Sequence, residues 1–180
     1  MLTIEEIFKD VSSVNEDVLV KLSDKLWEIG TLEKIKEEVS PELFLLHIGM
    51  NMIGNWKCEG WWGVISEQAV LVPFIPKVLE AFGLYDLKIA FENVISLFPE
   101  YTVFSNEDAS YYDIINFLQN ARFKVSDERL NSIKPEKRKE MVVSIRQRVN
   151  TLEALTEPLW GAGAENDGWK QVIDFIASEK

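Results

Sequence analysis

Ser40-Pro41-Glu42-Leu43-Phe44-Leu45-Leu46-His47-Ile48-Gly49-Met50-Asn51-Met52-Ile53 is the stretch from which the fold is read. A serine followed by proline is a helix start. The hydroxyl accepts from an otherwise unpaired first-turn amide, and proline stands at the first helical position, where its missing N–H is no loss. From Leu43 to Ile53 the residues are apolar on most faces rather than along one stripe. Such a helix is stable only when surrounded, so this segment is expected to be the central, most buried helix.

Working outward, the periodicity stays helical. Upstream, Asn15 is placed to cap a helix with Val18, Leu19, Leu22, Leu26 and Ile29 at three- and four-residue steps and Gly30 as its stop. Thr31 can cap a shorter helix through Val39. Downstream, Gly54 to Gly63 reads GNWKCEGWWG, whose three glycines predict a loop or a pair of helix ends, with a helix resuming over 62–71. Pro73 and Pro76 bracket a further start that ends at Gly83, and Leu87 to Phe98 carry a wide apolar stripe. Asn106-Glu107-Asp108 opens a helix to about Leu118, a short helix follows Ser126, and Pro135 starts the longest candidate, running to about Leu155. A second loop spans 160–168 before a closing helix over 169–177. Val70-Leu71-Val72 and Tyr101-Thr102-Val103-Phe104 favour strands but are short and lack partners. The expectation is an all-α, single-domain bundle of about eight helices over 1–180, with 1–39 as an N-terminal helical subregion.

Composition narrows the function classes. The chain is 47% hydrophobic and carries a net charge of −11, with one cysteine and one histidine. A lone thiol excludes an internal disulfide and multi-cysteine zinc sites, and no metal or cofactor is expected. The acidic opening MLTIEEIFKDV lacks a signal-peptide pattern, and no apolar run reaches membrane-spanning length, so a soluble, cytoplasmic protein without membrane contact is expected. Residues 121–150 hold nine bases against four acids, and the rest of the chain carries −16. That field repels nucleic acid and attracts cationic partners. The basic island, with Glu136 and Glu140 interleaved, is expected to be a solvated helix face or to pair with acids elsewhere.

No phosphate-binding loop, dinucleotide fingerprint or nucleophile elbow is present. An enzyme would have to use Cys58 with His47, or carboxylates gathered by folding, as a hydrolase or transferase. That reading is the alternative from a different class. Trp56, Trp61 and Trp62 lie within seven residues, and such a cluster either anchors a core, the commoner fate of large aromatics, or forms a recognition surface. Trp61 and Trp62 are the aromatic candidates for partner contact.

Cys58-Glu59-Gly60-Trp61-Trp62-Gly63, followed by KVLEAFGLYDLKIAFENVISLFPE over 77–100, resembles a helical domain-of-unknown-function family that includes a bacterial DNA mimic protein. The family pattern is Asn-Gly-Gly-Phe-x-Gln, then two helices separated by glycine and ended by proline, with weaker similarity over 43–118. Here Cys58 stands for the Asn, Glu59 for the first Gly and Gly63 for the Gln, so roles of the missing amides do not carry over. The resemblance implies an all-α, commonly dimeric protein that offers carboxylates in place of DNA phosphates. The matching acidic stretch is Glu92, Glu100, Glu107, Asp108 and Asp113, with no lysine or arginine between Lys88 and Arg122. The expected function is therefore non-enzymatic binding and blocking of a basic protein partner, one that itself binds DNA. A toxin-neutralising immunity protein is the alternative within the same class.

Overall fold

The N-terminal third is built from four consecutive helices, each opened by a polar side chain that accepts a hydrogen bond from a first-turn amide. Thr3 forms a reciprocal capping box with Glu6 at α1 (Ile4–Phe8). Asn15 caps α2 (Glu16–Trp27), Thr31 caps α3 (Leu32–Glu38) and Ser40 caps α4 (Pro41–Glu67), Ser40 accepting from the Leu43 amide at 3.2 Å. A 3₁₀ turn (Ala69–Phe74) leads into α5 (Ile75–Ala81). Then come α6 (Tyr85–Ile95), α7 (Ala109–Gln119), α8 (Glu128–Asn131), α9 (Pro135–Trp160) and α10 (Lys170–Ser178). The computed structural model describes residues 1–179. Among them the fold is all-α, with ten helices of which eight have seven residues or more.

Of the two readings of Gly54 to Gly63, a loop or a pair of helix ends, the structure has the second. Helix runs on to Glu59, breaks at Gly60, where the backbone takes φ +67° and ψ −175°, and resumes at Trp61. Neither β-prone segment forms a strand. Residues 70–72 lie in the 3₁₀ turn, and the sole β-like pairing among the described residues is an isolated bridge between Leu2 and Val39. That bridge ties the chain start to the α3–α4 junction.

As expected from its all-round apolarity, α4 is the central helix, packed by α2, α3, α5, α9 and α10. Its approach to α5 and the residue that ends it is close: a Cβ on Gly49 would stand 2.5 Å from the Phe82 ring and 3.3 Å from Val78, so a side chain there would force the ring to move. One continuous core runs from Ile4 and Phe8 through to Ile176, so residues 1–39 share the core of the remainder. Among the described residues no single helix is long and apolar enough to cross a membrane.

The second long helix, α9, explains the basic island. It packs on α4, α6 and α7, and its arginines close the ends of its neighbours. The Arg138 guanidinium donates to the carbonyl oxygens of Phe117, Asn120 and Phe123 at 3.1, 2.9 and 2.8 Å, and lies over the Phe117 ring. Arg148 donates to the Asn93 carbonyl and, at 2.9 Å, to Ser96 Oγ. A helix C-terminus leaves carbonyls unpaired and carries partial negative charge, so a guanidinium there satisfies both. The island is thus partly a set of C-terminal clamps for α6 and α7, in addition to solvated positions such as Lys124 and Lys139.

Candidate functional site

The break at Gly60 organises the tryptophan cluster. Interrupting the helix for one residue turns Trp61 into the start of a new helix with an unpaired amide. Glu153, reaching across from α9, accepts that amide at Oε1 (2.6 Å) and the Trp56 indole N–H at Oε2 (2.7 Å). One turn further along α9, Thr156 Oγ1 accepts the Trp61 indole N–H at 2.7 Å and donates to the Leu152 carbonyl. Trp160 packs within 6 Å of both Trp56 and Trp61, and Trp61 also meets Phe91 at 5.3 Å between centroids. Every polar atom in this aromatic knot is matched, which is what allows indoles to be buried without loss.

Trp61 is fully buried, so it presents no surface to a partner and its candidacy as a contact residue is corrected: it anchors the core. Trp62, the next residue, is half-buried and faces a groove between α4, α7 and α9. On the other side of the knot lies a notch of about 520 Å³ lined by Trp56, Lys57, Glu153, Glu157, Gly161 and Asp167, among others. It has carboxylates beside aromatic rings, the arrangement that a carboxylate-based enzyme would need. One oxygen of Glu153 is nevertheless spent on the helix restart and the other on the Trp56 indole, and Lys57 is held by the Asp167 carbonyl at 2.9 Å. Sequence reading missed Glu153 and Thr156. The signal was there: both interrupt the apolar stripe of α9 between Val149 and Trp160, where a polar residue needs a buried partner.

The five acidic candidates divide into two kinds. Asp113 accepts the backbone amides of Ser126 and Asp127 at 2.8 and 2.7 Å, fastening the segment that leads into α8. Asp108 caps α7, accepting from the Ser110 amide at 2.8 Å, and hydrogen bonding from the Ser110 side chain, with that amide second, holds its carboxyl below the usual carboxylate range. Glu92, Glu100 and Glu107 are exposed, with no base in ion-pair contact among the described residues. The stretch is free of bases in sequence but not in space. Arg129, paired with Asp127 at 2.6 Å, stacks 3.7 Å over the Tyr101 ring and acts electrostatically on Asp108, while Arg148 reaches Asn93 and Ser96 beside Glu92.

Cys58 and His47 are not brought together. Both lie on α4, eleven residues apart, or roughly 16 Å along the helix axis at ~1.5 Å per residue. Cys58 is exposed; His47 is wholly buried against the edge of Trp27. Asn51 bridges the region, accepting from the Trp27 indole at 3.0 Å and donating to Ser23 Oγ at 3.1 Å, with its amide nitrogen 3.3 Å from His47 Nδ1. Burial pushes the His47 imidazole down to about 4. A thiol–imidazole pair is therefore ruled out by geometry. Among the described residues no three His, Cys, Asp or Glu side chains are grouped to hold a metal ion.

No family model matches this chain, nor does any curated protein or solved structure.

Proposed function

We propose that the protein is an acidic interaction protein that engages a basic macromolecular partner and covers the surface with which that partner binds DNA. The supporting observation is that Glu92, Glu100 and Glu107 are exposed and unpaired, on a fold whose local bases are occupied. Lys88, four residues before Glu92, is held by Glu80 at 2.7 Å. Arg129 and Arg148 are likewise committed, to Asp127 and to the end of α6. The contact set is narrower than the sequence suggests, because Asp108 and Asp113 serve the fold. Trp61 is excluded by burial. A duplex offers regularly spaced negative charge, and carboxylates on α6 and on the turns between α6 and α7 compete for the same cations on the partner.

The test compares capture of basic proteins from native cytosol by the wild-type chain and by the Glu92→Lys/Glu100→Lys/Glu107→Lys variant. A partner should be held by the wild type at low salt, displaced by duplex DNA, and released toward ~1 M salt, where the screening length falls to about 3 Å. The triple reversal should abolish capture while leaving the melting temperature unchanged, since none of the three side chains supports the fold. Capture that survives both high salt and the reversals overturns the proposal.

A further inference from the structure

We infer that the groove between α4, α7 and α9 is a binding site for a small amphipathic carboxylate, an aliphatic or single-ring aromatic acid whose apolar body lies against Trp62 and whose head meets Arg146. The groove encloses about 200 Å³. Its walls are Trp62, Leu118, Val142, Ile145 and Val149, and its polar lining is Gln119, Arg146 and Asn150. The α9 residues recur at three- and four-residue spacing, so one helix face supplies both the apolar floor and the cation at its edge.

Charge selects the occupant. In a chain of net charge −11 this groove is lined by no acid at all, and its single charge is a guanidinium. Arg146 is exposed and, among the described residues, makes no hydrogen bond or ion pair, unlike Arg129, Arg138 and Arg148 on either side of it in sequence. A guanidinium offers a planar fork of donors that matches a carboxylate in two parallel bonds, and the neighbouring amides of Gln119 and Asn150 can donate to the same head group. Size selects further. An apolar cavity of ~150 Å³ accommodates benzene, so this volume suits one aromatic ring or a chain of roughly six to eight carbons. A half-buried indole along such a wall supplies a flat contact at little entropic cost. The site is independent of the acidic surface, which lies on α6, the following turn and the start of α7.

The experiment titrates the full-length chain with sodium octanoate and sodium benzoate, and in parallel with octanol and octylamine. It follows backbone amides and the Trp62 indole N–H by ¹⁵N correlation spectroscopy, the indole signal being assigned by its loss in Trp62→Phe. Octanoate should give saturable shifts confined to Trp62, 118–119 and 142–150. Arg146→Gln should weaken octanoate by about tenfold or more, as removal of a charge-assisted bond does, without changing the weaker binding of octanol. Val149→Phe, which fills the groove, should remove both. Arg146 is exposed and unpartnered, so its variant keeps the wild-type melting temperature, and a loss of binding is not a loss of fold. The inference is overturned if octylamine or octanol binds as tightly as octanoate, if Arg146→Gln leaves octanoate affinity unchanged, or if the shifts fall outside the groove.

Discussion

Gly60→Ala should be among the most destabilising single-methyl additions in this protein, for two separable reasons. The residue sits at φ +67° and ψ −175°, a region essentially closed to side chains, and holding alanine there costs ~1–3 kcal/mol. The new Cβ would also stand 2.7 Å from Glu153 Oε1, the oxygen that accepts the Trp61 amide. Displacing that carboxylate weakens two charge-assisted hydrogen bonds, each worth ~1.5–3 kcal/mol, though not to zero. A total of about 3–5 kcal/mol follows, or roughly 10–15 °C in melting temperature at ~2–4 °C per kcal/mol for a chain of this size. Urea unfolding followed by far-ultraviolet circular dichroism and by tryptophan emission measures the loss. A double-mutant cycle with Glu153→Ala then separates the two causes. With the carboxylate gone, Gly60→Ala should incur only the backbone strain, leaving a coupling of about 1–2 kcal/mol. A cost below ~1 kcal/mol in the wild type, or no coupling with position 153, would refute this account of the helix break.

Three further outcomes follow from the same geometry. Thr156→Val leaves the buried Trp61 indole N–H without an acceptor and should lower stability by ~1–3 kcal/mol with little change in volume, read by the same unfolding curves. The His47 imidazole, held neutral by burial down to about 4, protonates near 6.5 once the chain unfolds. Its penalty is therefore absent above pH 6.5, grows by ~1.4 kcal/mol per unit as pH falls through that window, and is complete below about 4. Its ring-proton resonance, unambiguous in a chain with one histidine, should stay unshifted between pH 7 and pH 5, and a midpoint near 6.5 would contradict the burial. Arg138→Met keeps the contact with the Phe117 ring but removes the donors to Phe117, Asn120 and Phe123. It should cost ~2–3 kcal/mol and speed amide exchange at the end of α7 and over 120–127, so unchanged exchange there would show that the clamp does not hold this segment.

Much of the architecture was legible because it is written in short-range terms. Asn15, Thr31, Ser40-Pro41 and Asp108 act within three residues of themselves, and the apolar steps of α2, α6 and α9 repeat over one or two turns, so local reading places these helices correctly. The all-round apolarity of Leu43 to Ile53 likewise identifies the central helix, since only complete burial stabilises it. Over Gly54 to Gly63 local residues leave a loop and a pair of helix ends both open, since three glycines in ten residues are a turn signal by propensity, whereas Glu153, more than ninety residues away, supports the helix on both sides of a single break and decides for the helix ends. Propensity is a weak prior that such a contact outweighs.

The candidate sites divide along the same line. Net charge, the lone cysteine and histidine, and the presence of an acidic stretch are properties of the residue list and needed no coordinates. Which carboxylates are free, which tryptophan is buried, which arginine lacks a partner, and how far Cys58 lies from His47 depend on pairs of residues brought together from distant parts of the chain. Asp113 and Glu107 read alike in sequence; they differ because the amides of Ser126 and Asp127 fold onto one and nothing in the described chain folds onto the other. Local residue order sets where helices start and which face is apolar, while the satisfaction of buried polar groups is a property of the packed chain, and that decided which side chains remain available to a partner or ligand.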